Sequence, residues 1–283
     1  MSIESEVSTE PVVVTPQARV SAGLDQAAEL LRTGRLSEAT MELETALATA
    51  RATPYEIEFQ TRIRLGMTLS DLYLSLDRIQ DARILLTDEV AFGEKISQIM
   101  QATGTLHQKR AATSGFLQIR DRAAQMALIG QIAPEISVKT WIKGGSVTLE
   151  GFRGRVVLLE FWATWCKPCQ EMFPKLRQLH EEKSEHGLEI IAVTRHYLAY
   201  RGTLEAMNEE LELMRTTLAP HKVKFHVGVA EDESLQAIYG ANGLPTAVLI
   251  DRHGIVRYAG PGGDERAFTE MLQQCFDGSA WKS

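Results

Sequence analysis

The chain reads as an α/β fold, a mixed central sheet with helices on both faces, preceded by an all-α region of helical hairpins. Three observations predict this. The run from Val156 to Pro174, VVLLEFWATWCKPCQEMFP, is an apolar strand that turns abruptly into Trp165-Cys166-Lys167-Pro168-Cys169 at a helix start. Beyond it, strand-like and helix-like segments alternate and end in an antiparallel hairpin and a closing helix, the pattern of a mixed sheet covered by helices. Before it, the first third of the chain carries Leu, Ala and Ile at helical spacing and one short segment that recurs.

Taken in order, residues 1–20 are polar, contain two prolines, and read as a disordered tail. Residues 21–128 read as helical. Within them Gly34-Arg35-Leu36-Ser37-Glu38-Ala39 recurs as Asp77-Arg78-Ile79-Gln80-Asp81-Ala82. Two helical hairpins with a small-residue turn and an alanine in the next helix resemble tetratricopeptide repeats, at a spacing longer than the ordinary period of about 34, which implies extended helices. An ordinary helical bundle shows the same periodicity. The stretch after Phe92 reads as connecting helices broken near Gly104 and Ser114-Gly115. Residues 129–279 form the α/β region. Here Leu188–Val193 and Val223–Val229 read as strands and Thr203–Leu218 as a helix. Thr246–Ile250 and Ile255–Ala259 read as a hairpin across Asp251-Arg252-His253-Gly254, and Asp264–Phe276 as the last helix.

Two cysteines separated by two residues, just after a buried strand and at a helix start, are placed for reversible dithiol/disulfide chemistry. The first turn of a helix offers unpaired N–H groups and the positive end of the macrodipole, so a thiolate on Cys166 is favoured over the thiol. Cys169, one turn later on the same face, is within reach of a mixed disulfide formed at Cys166. Cys166 is therefore the expected nucleophile, exposed at the helix start, and Cys169 the resolving thiol. Lys167 adds a nearby positive charge, and Pro168 is tolerated because its missing N–H would be unpaired in the first turn anyway. A closed zinc site needs four ligands, and the third cysteine, Cys275, brings no partner cysteine or nearby histidine.

The α/β region resembles the thioredoxin fold, and within it the TlpA/ResA-type thiol-disulfide oxidoreductases of the redoxin group. The likeness is carried by GQIAP at Gly130–Pro134, LEGFRG at Leu149–Gly154, FWATWCKPC at Phe161–Cys169, Phe173-Pro174, and GLPT at Gly243–Thr246. The resemblance implies that Pro245 is a cis-proline facing the CxxC. It further implies that Leu244 pairs with an extended substrate strand, and that Trp165, Lys167 and Pro168 lie on the substrate side. It also places Glu160 where this fold keeps a buried acid beneath the active site, able to accept the proton of Cys169. The pattern departs from the family after the CxxC, where the acid is Glu171 and Met172 and Phe173 precede Pro174. The peroxidatic pattern of related redoxins is also broken, since Ala163 occupies its Thr position. His196, after a strand end, reads as a surface or core-edge residue.

A chain of 283 residues exceeds a usual single core, and 44% hydrophobic residues suffices for two. The net charge of −7 argues against nucleic acid as a partner. No run of eighteen apolar residues is present, so no transmembrane segment is expected. The first residues lack a basic stretch followed by an apolar one, which points to a cytoplasmic protein, or to an extracytoplasmic one if an export segment is missing. The expected function is thiol-disulfide exchange on protein dithiols or disulfides, with no cofactor beyond the cysteine pair and an unidentified electron donor or acceptor. The alternative is an interaction scaffold, in which the helical region binds a partner and the α/β region is regulatory.

Overall fold

The computed structural model describes residues 14–198, 202–262 and 266–278. The chain divides into two compact units between Phe116 and Leu117. The first is helical: α1 (Pro16–Arg32), α2 (Leu36–Ala52), α3 (Phe59–Ser75), α4 (Ile79–Thr103) and the first half of α5 (Leu106–Leu128). Helix α1 already begins at Pro16, capped by the Thr15 hydroxyl accepting from Ala18 N, so the expected tail of residues 1–20 is helical from Pro16 onward. Residues 1–13 lie outside the described residues.

The repeated segment occupies the same place twice, in the α1–α2 and α3–α4 turns. Gly34 and Asp77 both take a left-handed backbone, at φ 75° and 61°. The next residues, Arg35 and Arg78, both donate their amide to a carbonyl five positions back, at 2.9 and 2.8 Å. Both also reach forward with Nε, to Glu38 and Asp81 at 2.6 Å. Ala39 and Ala82 are fully buried, where a larger side chain would hold the helices apart. Gly104 does end α4, but Ser114-Gly115 lies inside α5 rather than breaking it. A Cβ on Gly115 would stand 2.7 Å from the Phe59 ring, so this glycine serves close helix packing, not a turn.

The second unit begins within α5. Its sheet runs β1 (Val138–Lys143), β4 (His226–Ala230), β3 (Leu188–Arg195), β2 (Val156–Phe161), β5 (Thr246–Ile250), β6 (Val256–Pro261). The two inner pairings, β2 with β3 and β3 with β4, are parallel; β1, β5 and β6 join antiparallel. The helices are α6 (Lys167–Lys183), α7 (Leu204–Leu218), α8 (Ser234–Tyr239) and α9 (Arg266–Asp277). Strand β2 is buried along its whole length, as its unbroken apolar run requires for a strand covered on both faces. Alternate residues divide between two cores. Val156 and Leu158 join a cluster with Trp162, Cys166, Cys169 and Phe173, while Val157, Leu159 and Phe161 join Leu235, Tyr239 and Val248 on the other face.

Three expectations change. Strand β4 starts at His226 and not at Val223: Val223 and Phe225 are buried in the core, yet pairing with β3 begins only at His226. Strand β1 and helix α8 were not expected. β1 is an edge strand with no clean alternation of burial, and α8 is a six-residue turn of helix, too short to show a period. The expected boundary between 128 and 129 also moves, because the second half of α5 packs within the α/β unit: Arg122 Nη1 donates to Ala259 O at 3.2 Å and Gln125 Nε2 to Gly240 O at 2.6 Å. No described helix is long and apolar enough to cross a membrane.

Candidate active site

Strands β2 and β5 end together, Phe161 opposite Thr246, so the segments 162–166 and 241–245 leave the sheet at the same end. The first turns into α6 with Cys166 as its N-cap. The Cys166 sulfur accepts from Cys169 N at 3.3 Å, the position that Ser or Asp fills at other helix starts, and Pro168 sits in the first turn as expected. Cys166 and Cys169 are joined as a disulfide. An N-cap sulfur that already accepts one amide and faces the helix dipole is a site where a thiolate is stabilised when the bond is reduced. Cys166 is only 4% exposed in this oxidised state, so its expected reactivity rests on the helix end rather than on exposure.

The neighbours separate clearly. Trp165 is 59% exposed and meets the Tyr197 ring edge-on at 5.3 Å. Tyr197, at the end of β3, was not foreseen from the sequence; its only signal there was an aromatic residue just beyond a buried strand. Its hydroxyl accepts from Gln236 Nε2 at 2.5 Å and its ring lies 4.2 Å under the Arg195 guanidinium. Lys167 is exposed, and its ammonium stands 4.0 Å from Glu171, an exposed helix residue. His196 is not a surface residue: it is buried, with Nδ1 3.1 Å from Glu210, whose other oxygen accepts from the amides of Tyr197 and Leu198.

Glu160 is 1% exposed, and among the described residues neither carboxylate oxygen has a hydrogen-bond partner. It shares the strand face of Val156 and Leu158, whose core cluster contains both cysteines. Burial alone holds its carboxyl well above the usual carboxylate range. The space beside it is tight, since a Cβ on Gly262 would lie 3.0 Å from Glu160 Oε2 and 2.8 Å from Met172 Cε. The Leu244–Pro245 peptide is cis, and Leu244 packs against the cluster that holds the cysteines. Among the described residues no group of three His, Cys, Asp or Glu is placed to hold a metal ion.

Residues 129–259 match the AhpC/TSA family. The chain is 33% identical over 128 residues to the thiol-disulfide oxidoreductase ResA of Bacillus thuringiensis (strain Al Hakam), covering 45% of this chain and 66% of that protein. It is 31% identical over 133 residues to ResA of Halalkalibacterium halodurans, covering 47% of this chain and 69% of that one. The chain belongs to the ResA-type thiol-disulfide oxidoreductase family. A solved thiol-disulfide isomerase from Corynebacterium glutamicum aligns with TM-score 0.42 and 21% identity, over 50% of this chain and 93% of that one. The first-named relative is thus spanned over slightly less than two thirds of its length.

The third cysteine of this ResA-type chain takes no part in the disulfide. Cys275, in α9, is buried and free, and burial pushes its thiol up to about 11. On the reduced protein at pH 7, iodoacetamide should label Cys166 at least about a hundredfold faster than Cys275, because helix-start and CxxC thiols ionise near or below 8.5 while Cys275 holds almost no thiolate. Peptide mass spectrometry with Cys275 as the fastest site would contradict the assignment.

Proposed function

We propose that the α/β unit exchanges dithiols and disulfides with protein clients through Cys166 and Cys169. The observation that carries this reading is the Cys166–Cys169 disulfide at the N-cap of α6, with the Cys166 sulfur accepting an amide. In the reducing direction the Cys166 thiolate attacks one sulfur of a client disulfide. The Cys166–client S–S bond forms, the client S–S bond breaks, and the second client sulfur leaves as thiolate. Cys169 then gives up its proton, with Glu160 as acceptor, and attacks Cys166 Sγ. The first client sulfur leaves, the client ends as a dithiol and the enzyme as the Cys166–Cys169 disulfide. A dithiol donor must reduce that disulfide for the next turnover.

Leu244 and Pro245 supply the surface that aligns an extended client segment, and Trp165 with Lys167 and Pro168 forms its other side; the shared sheet end of the two segments supports this. The helical unit offers contact area to a protein partner, a role supported by its repeated hairpin geometry. The test is insulin-disulfide reduction in the presence of dithiothreitol. The protein should raise the rate well above that of dithiothreitol alone, and no acceleration would overturn the reading.

A further inference from the structure

The segment that leads into cis-Pro245 is fastened by α5, at residues that lie before the start of the family match at 129. Asp121 is buried, and both its oxygens are committed to that segment. Oδ1 accepts from Asn242 Nδ2 at 2.7 Å and Oδ2 from Gly243 N at 3.0 Å. One helical turn on, Gln125 Nε2 donates to Gly240 O at 2.6 Å. The contact is so close that a Cβ on Gly240, whose φ is +61°, would fall 2.2 Å from the Asp121 carbonyl oxygen. From the other side the segment is closed by Thr246 Oγ1 donating to Gly243 O at 2.5 Å. A carboxylate that accepts one side-chain and one backbone N–H makes charge-assisted bonds, roughly twice as strong as neutral ones, and it fixes both the position of Gly243 and the orientation of its peptide.

We propose that α5 is a positioning element of the substrate site: Asp121, with Gln125, sets the geometry of residues 240–243 and hence of Leu244 and Pro245, where a client segment is aligned. This rests on the exchange reading above. Asp121 touches neither the cysteines nor the client; it acts through Gly243 and Asn242, so its loss should weaken client binding and leave the chemistry at sulfur nearly intact. The binding site of this chain is therefore completed by a helix that the redoxin match does not include.

The test uses the full chain and labelled insulin, with dithiothreitol as reductant. Asp121→Ala should raise KM for insulin roughly tenfold, with kcat within about twofold, the size expected when charge-assisted bonds that order a loop are removed. Asp121→Asn keeps one acceptor oxygen and should fall between Asp121→Ala and wild type. The control is Glu135→Ala, which removes a carboxylate that accepts from Leu149 N at 2.7 Å and Glu150 N at 3.1 Å elsewhere in the same unit. That variant should lose stability without the rise in KM. An unchanged KM in Asp121→Ala, equal rises in both alanine variants, or a parallel fall of kcat would overturn the proposal. Should Asp121→Ala fail to fold, Asn242→Ala decides by the same ratio, with a rise of about threefold expected and no rise overturning it. A wild type no faster than dithiothreitol alone would overturn the exchange reading itself and this inference with it, an outcome distinct from an active wild type whose KM ignores Asp121.

Discussion

Cys166→Ser should bring insulin reduction down to the rate of dithiothreitol alone, a loss of at least about a hundredfold, while Cys169→Ser should retain the first half-reaction and accumulate a covalent complex with the client. The asymmetry follows from the helix end. Only Cys166 occupies the N-cap and accepts an amide there; a serine hydroxyl caps equally well but does not ionise near neutral pH, so nucleophilicity is lost while the fold is kept. Cys169, inside the first turn rather than at the N-cap, lacks that stabilisation of its thiolate and so is the weaker first nucleophile, yet its place one turn on lets it attack a disulfide already formed at Cys166. Non-reducing gels of the two variants after mixing with insulin read this directly. A trapped complex with Cys166→Ser instead of Cys169→Ser would reverse the two roles.

The parts legible in the sequence were those written by local rules. A helix end bearing Pro168 and two cysteines, a strand buried on both faces, and a hairpin turned by Asp251 to Gly254 each need only neighbours along the chain. The recurrence of Gly34–Ala39 at Asp77–Ala82 marked two real turns because a left-handed residue followed by a forward-reaching arginine is itself local. What was not legible depends on partners far away in sequence. Ser114-Gly115 looks like a breaker until Phe59 is seen against the glycine. Asp121 looks like any helix acid, and only the fold brings it to Gly243. Tyr197 meets Trp165 across two separate connections. Glu160 was placed by resemblance; its lack of a hydrogen-bond partner among the described residues required the packing around it.

That orphaned carboxyl predicts opposite pH trends for stability and catalysis. Its folded-state pKa is raised well above the ordinary 4.5 by burial. Below about 4.5 both folded and unfolded chains hold the proton, and Glu160 adds no pH dependence. Above it the unfolded state releases the proton while the folded state keeps it, so stability falls as pH rises, by about 1.4 kcal/mol per unit, until the folded-state pKa is passed. Glu160→Leu removes this slope, so its advantage over wild type should grow from about pH 5 to pH 7 in urea unfolding; a constant difference would mean that the carboxyl is solvated. Proton acceptance from Cys169 needs the ionised form, so resolution of the mixed disulfide should speed up over the very range in which stability declines. In Glu160→Leu that rise should vanish, with resolution near neutral pH slower by roughly a hundredfold, the lower end of what a positioned base contributes. A resolution rate with the same pH profile in both proteins would leave Glu160 a cost to stability with no role in proton transfer. Loss of the rise together with higher stability would identify the unpaired acid as a group kept for chemistry at the expense of the fold.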